Sequence, residues 1–257
     1  MADGQLPIIR AVGLVLRDIV RVVRTMPGLT LIATAILFPF NVLDLLVSPH
    51  LPGSPLVQLL KEVGIRVAES FLLTPFLIAV HRFILIDEVT ARYVLAPRNP
   101  RFERFFAWSL LVWLLTTSVS LLRPLAEGLP TGIGIGALVV ASVLVIIISL
   151  RLTILFPAIA VDAPGASVAN AFADTKGHVI GMLCIFLLAT LPAVVFFFFV
   201  MLLFPIKAIE SGFSVATIPF AAVLAVFQLV IYATMVAAAS RIFQAVAERV
   251  LRAPPAA

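Results

Sequence analysis

Residues 133–150 read IGIGALVVASVLVIIISL, eighteen positions without a single charge, and residues 179–204 read VIGMLCIFLLATLPAVVFFFFVMLLF, twenty-six more. A bilayer's hydrocarbon core is about 30 Å thick, and at 1.5 Å per residue an apolar helix of about 20 residues crosses it. Both runs are therefore predicted to span a membrane. Phe105 to Leu122 and Ser214 to Ser240 have the same character. Gly28 to Val47 is long enough although it holds Asn41 and Asp44, and roughly Val67 to Ile86 holds Glu69 at one end and His81-Arg82 at the other, where long side chains can reach the interface. The reading is an all-α polytopic membrane protein in one domain, residues 1–257. Its six expected spans, about 28–47, 67–86, 105–122, 133–150, 179–204 and 214–240, form three hairpins.

The composition agrees. The chain has 257 residues, 62% hydrophobic and 12% charged, with a mean hydropathy of +1.19; soluble domains are about 45–50% apolar and about 25% charged. A water-soluble domain is excluded, and little length remains for one outside the bilayer. The stretch after Leu6 is interrupted by Arg10, Arg17 and Arg21, so a cleaved signal peptide is not expected.

With six spans the termini share a side. On that side fall Arg10, Arg17, Arg21 and Arg24; Arg82, Arg92, Arg98, Arg101 and Arg104; Arg151 and Lys176; and Arg241, Arg249 and Arg252. Opposite them stand Lys61, Arg66, Arg123 and Lys207. Fourteen bases against four place both termini in the cytoplasm.

Before the first span, a helix over about 7–26 would set Arg10, Arg17, Arg21 and Arg24 in one strip, with Ile8, Val12, Val15, Ile19, Val22 and Val23 on the other side. Such a helix lies on a membrane, its arginines on phosphates. Ser167, Asn170, Asp174 and His178 repeat the pattern, as do Arg241, Gln244, Glu248 and Arg252. The even spans each run into an arginine, Arg82, Arg151 or Arg241. These seven arginines (10, 17, 21, 24, 82, 151 and 241) are the expected contacts to lipid phosphate, and the amphipathic segments are expected to form a cytoplasmic collar. The partners implied are membrane lipids, anionic on the cytoplasmic side, with a membrane-protein partner or a second copy of the chain as further candidates. No basic stripe interleaved with aromatics points to nucleic acid.

Chemistry-bearing motifs are weak. Gly132-Ile-Gly134-Ile-Gly136-Ala137 fits a dinucleotide loop by letter but opens a membrane helix, where the Gly132/Gly136 and Gly177/Gly181 spacings suit close helix packing. His50, His81 and His178 are scattered, Cys184 is alone, and no acid, base and nucleophile converge. No enzyme activity, metal or cofactor is expected. Asp44, Arg66 and Glu69, near the outer ends of the first two spans, are the unusual intramembrane charges: either a structural pair or the lining of a polar cavity in a small permease or flippase. Pro75, Pro157, Pro192 and Pro219 are expected to bend their helices.

The stretch Phe156-Pro157-Ala158-Ile159-Ala160-Val161-Asp162, followed by Ala169 to Ala173 and then Thr175-Lys176-Gly177 before a span, resembles a six-helix bacterial inner-membrane family. That family includes the YciC-like proteins and the membrane domain preceding some glycerophosphodiester phosphodiesterases. His81-Arg82-Phe83-Ile84-Leu85-Ile86-Asp87-Glu88 is similar to a segment of alphaproteobacterial members. The resemblance implies a bacterial inner-membrane protein without an assigned activity and does not imply phosphodiesterase chemistry; it is the fourteen-to-four asymmetry of bases, with the three amphipathic segments, that points to a non-enzymatic role in lipid or envelope organisation or in a membrane complex.

Overall fold

The computed structural model describes residues 7–47, 55–204 and 217–252, and all regular structure among them is helical. The helices are α1 (Ile8–Thr25), α2 (Pro27–Val47), α3 (Pro55–Ile86), α4 (Pro100–Glu127), α5 (Thr131–Leu152), α6 (Leu155–Ala160), α7 (Val168–Asp174), α8 (Val179–Met201) and α9 (Thr217–Val246). Among the described residues five stretches are long and apolar enough to cross a membrane: Pro27–Leu45, Leu60–Ile86, Thr131–Ala160, Val179–Met201 and Thr217–Val246. The chain is an all-α, multi-pass integral membrane protein. The other expected span, 105–122, is charge-free and lies within the 28-residue α4, which is not among those five. Of the expected 214–240 segment, positions 214–216 fall outside the described residues, as do His50 and Lys207.

Helix α9 is the centre of the bundle, packing on α1, α2, α3, α6 and α8. Its buried face carries Ala221, Ala225, Ala233, Ala237, Ala238 and Ala239. Small side chains let neighbouring backbones approach closely, which replaces the hydrophobic drive that lipid removes. Helix α5 lies at the opposite extreme: 6% of its apolar stretch is buried against 44% for α9. Ile133, Val139, Val140 and Val143 of α5 and Leu187, Leu191, Phe196 and Phe198 of α8 are exposed. In water so large an apolar surface would aggregate, whereas lipid solvates it.

Helices α4 and α5 form a tight hairpin. A Cβ on Gly134 would collide with the Ala126 carbonyl, while Gly132 and Gly136 have open space around them. The close approach thus falls on the middle glycine, on nearly the opposite side of the helix from the expected pair. Gly177 serves another purpose: its φ of +83° turns the chain from α7 into α8.

The three amphipathic segments differ in kind. The first is α1, separated from α2 by Met26 alone. The second is only the seven residues of α7, with Ser167 as N-cap, its side chain accepting from Asn170 N–H at 3.3 Å. The third is not a separate helix. Arg241 and Gln244 ride on α9, whose helix ends at Val246, and Glu248 and Arg252 lie beyond it.

Candidate functional site

Polar contacts tie α1, the ends of α3, α5, α6, α7 and α9, and the start of α4 into one face of the bundle. Helix α1 presents three strips there. Ala11, Val15, Asp18 and Val22 are buried, on the side packed against α8 and α9. Arg10, Arg17 and Arg24 are exposed. Ile9 (85% exposed), Leu16, Val20 and Val23 are exposed as well and, at about 100° per residue, lie roughly a quarter-turn from the arginines. The side expected to be purely lipid-facing is thereby divided: Val15 and Val22 belong to the protein core, Val23 to the surface.

The remaining four predicted lipid contacts make internal bonds. Arg241 holds Asp18 through Nε and Nη2 at 2.6 and 2.7 Å, and Asp18 is only 1% exposed. Arg21 reaches Asp87 at 3.1 Å and lies over the Phe83 ring at 5.0 Å. Arg82 pairs with Glu88 and donates to the Ala160 carbonyl at 2.9 Å, closing the end of α6. Arg151 donates to Thr175 Oγ1 at 3.2 Å and to the Phe172 carbonyl, over whose ring it stacks. This binds the end of α5 to α7, a cation at a helix C-terminus.

Asp87 and Asp162 both adopt left-handed backbone, φ +52° and +53°, directly after α3 and just past α6. Short polar side chains tolerate that region, and each turn aims its carboxylate at an arginine: Arg21 for Asp87, Arg101 for Asp162. The hydrogen bonds from Arg82 hold the Glu88 carboxyl below its ordinary range, and those from Arg101 do the same for Asp162. Burial pushes the Tyr93 hydroxyl upward. Asp174 accepts from three successive backbone N–H groups, of Glu248, Arg249 and Val250, at 3.0, 2.9 and 3.0 Å. The segment after α9 is so pinned to α7.

Deeper in the bundle, Glu69 is 2% exposed. Arg66 donates to its Oε2 at 2.8 Å; Tyr232 and Gln228 donate to its Oε1 at 2.7 and 2.5 Å. Asn41 in turn donates to Gln228 Oε1 at 2.9 Å. Among the described residues every partner of Glu69 donates to it, and both of its oxygens are used. Asp44 acts on Arg66 electrostatically. The knot joins α2, α3 and α9. Nearer the face that carries α1, His81 Nδ1 lies 2.8 Å from Ser240 Oγ. Ser240 Oγ also lies 2.9 Å from the Val236 carbonyl of its own helix, so this hydroxyl links the imidazole to the α9 backbone.

Sequence reading did not single out Asp18, Gln228 or Tyr232. Each left a trace: Asp18 is the one acid in α1 and stands off its arginine strip, and Gln228 and Tyr232 are polar groups four residues apart in an apolar run. No family model, curated protein or solved structure matches this chain.

Proposed function

We propose that this integral membrane protein is a non-enzymatic component of a bacterial inner membrane, with cytoplasmic termini, that organises anionic lipid or a membrane complex through its basic collar. One observation carries the reading: on α1 an exposed arginine strip runs beside an exposed apolar strip, with the third strip packed on the bundle. A helix so divided places its apolar strip among acyl carbons and its arginines at phosphate depth. Each base near an anionic surface contributes about 1 kcal/mol. The fourteen-to-four distribution of bases supports the orientation, and the resemblance to the six-helix family supports the compartment.

The full-length protein reconstituted with spin-labelled phosphatidylglycerol or phosphatidylcholine provides the test. Selection of the anionic lipid is expected, falling when Arg10, Arg17 and Arg24 become Gln and falling with salt. Equal motional restriction of both lipids by the native protein would end the proposal. A permease working through Asp44, Arg66 and Glu69 is the rival; the donor-only surroundings of Glu69 support a structural pair instead.

A further inference from the structure

A cleft of about 180 Å³ lies between α3, the connection that follows it and the start of α4. It exists because the chain doubles back. Tyr93, just past the end of α3 at Ile86, donates to the Leu72 carbonyl at 2.6 Å, which lies roughly 21 Å back along that helix at 1.5 Å per residue. The acceptor neighbours the carbonyl that Pro75, lacking an N–H, leaves without a helical donor.

The wall changes character along α3. Pro75, Ile78 and Ala79 are apolar, joined by Leu29 from α2; Arg82 follows along α3, and Arg92 from the connection and Arg101 from α4 line the same cleft. The change takes about 10 Å of helix, comparable to the step from upper acyl carbons to phosphate in a leaflet. The cations keep capacity. Arg101 gives Nε and Nη2 to Asp162, and Arg82 gives one bond from each of its three nitrogens, so each retains N–H groups. Arg92 is exposed and makes no hydrogen bond or ion pair among the described residues. Among the groups lining the cleft, Glu88 is the one carboxylate facing three guanidinium groups. An anion with an apolar tail fits this wall; a cation or a plain hydrocarbon does not.

We propose that the cleft is a discrete phospholipid site, with the phosphate held by Arg92 and the open N–H groups of Arg82 and Arg101, and the first chain carbons against Pro75, Ile78 and Leu29. The inference rests on reading this face as the one at an anionic leaflet. It adds one stoichiometric lipid where that reading needs only a diffuse basic surface.

Native mass spectrometry of the full-length protein released from nanodiscs of phosphatidylglycerol and phosphatidylcholine tests it. The native protein is expected to keep one phosphatidylglycerol. Arg92→Gln should weaken retention about tenfold, the worth of one charge-assisted contact. Ala96→Phe, which fills the cleft without altering charge, should do likewise, and the triple α1 variant should keep the lipid. Arg92 is exposed on the connection, so its variant decides if Ala96→Phe fails to fold. Unchanged retention in Arg92→Gln overturns the site. Loss of the lipid in the α1 triple variant alone would assign it to the collar, again overturning the site while the collar reading stands. Displacement by inorganic phosphate or glycerol 3-phosphate at equal concentration would make the cleft a soluble-phosphate site and overturn the lipid assignment.

Discussion

Asp18 on α1 and Arg241 on α9, 223 positions apart in sequence, form a two-pronged ion pair with the carboxylate almost wholly enclosed. This pair fastens the amphipathic helix to the central helix of the bundle. Removing one partner leaves the other charge partly buried and alone, which costs about 3–5 kcal/mol, whereas replacing both by apolar groups is often close to neutral. Asp18→Asn and Arg241→Gln should therefore each lower the thermal midpoint in detergent markedly, while Asp18→Leu with Arg241→Met should recover most of it. Additive losses in the double variant would show that the two residues do not act as a pair.

The knot around Glu69 gives a graded expectation. Hydrogen bonds between membrane helices are worth about 0.6 kcal/mol on average and up to about 1.7, so Gln228→Leu and Tyr232→Phe should cost amounts in that range. Glu69→Gln should cost more, because it deprives the half-buried Arg66 of its counter-charge. Size-exclusion profiles and thermal midpoints read this directly. A Glu69→Gln protein as stable as the native one would instead favour a transport role for Asp44, Arg66 and Glu69.

Acid should loosen the ion pairs at the ends of α3 and α6. The carboxyls of Glu88 and Asp162 are depressed in the folded protein by Arg82 and Arg101. Their contribution is thus fully present above the ordinary carboxylate range and is lost as pH falls through the depressed values. Both carboxylates are about half exposed, so each pair is worth about 0–1 kcal/mol and weakens with salt. Arg101→Gln should lower the thermal midpoint slightly at neutral pH, and the difference from the native protein should vanish in strong acid. A gap that widens on acidification would contradict the assignment.

Two glycines of one motif should respond oppositely. Gly134→Leu drives a side chain into the Ala126 carbonyl and should part the α4–α5 hairpin, whereas Gly136→Leu enters open space and should be tolerated. Expression and monodispersity of the two variants compare them, and equal tolerance would place the close approach elsewhere.

At the end of the described chain, a Cβ on Gly165 would meet the carbonyls of Arg249, Val250 and Arg252, and Asp174 satisfies three of the segment's N–H groups. Gly165→Ala and Asp174→Ala should both speed amide exchange at 248–250 while leaving α9 protected. Unchanged exchange would mean the segment is held by other contacts.

By itself the sequence determined where the chain resides and how it is cut into helices. A charge-free run as long as 133–150 satisfies its backbone as a helix in lipid, and the expected 133–150 appears as Thr131–Leu152, while a helix expected over 7–26 appears as Ile8–Thr25. Helical period also placed the arginines of α1 on one strip, because it depends only on local geometry. What the period does not encode is the object each strip faces. An arginine at a membrane boundary can meet a phosphate or a carboxylate, and nothing local distinguishes Arg10, left exposed, from Arg241, claimed by Asp18. The same holds for Gly134 over Gly132, for Gln228 joining Asn41 to Glu69, and for the return of Tyr93 to Leu72 that opens the cleft. These depend on which faces of distant helices meet, and only tertiary packing decides that.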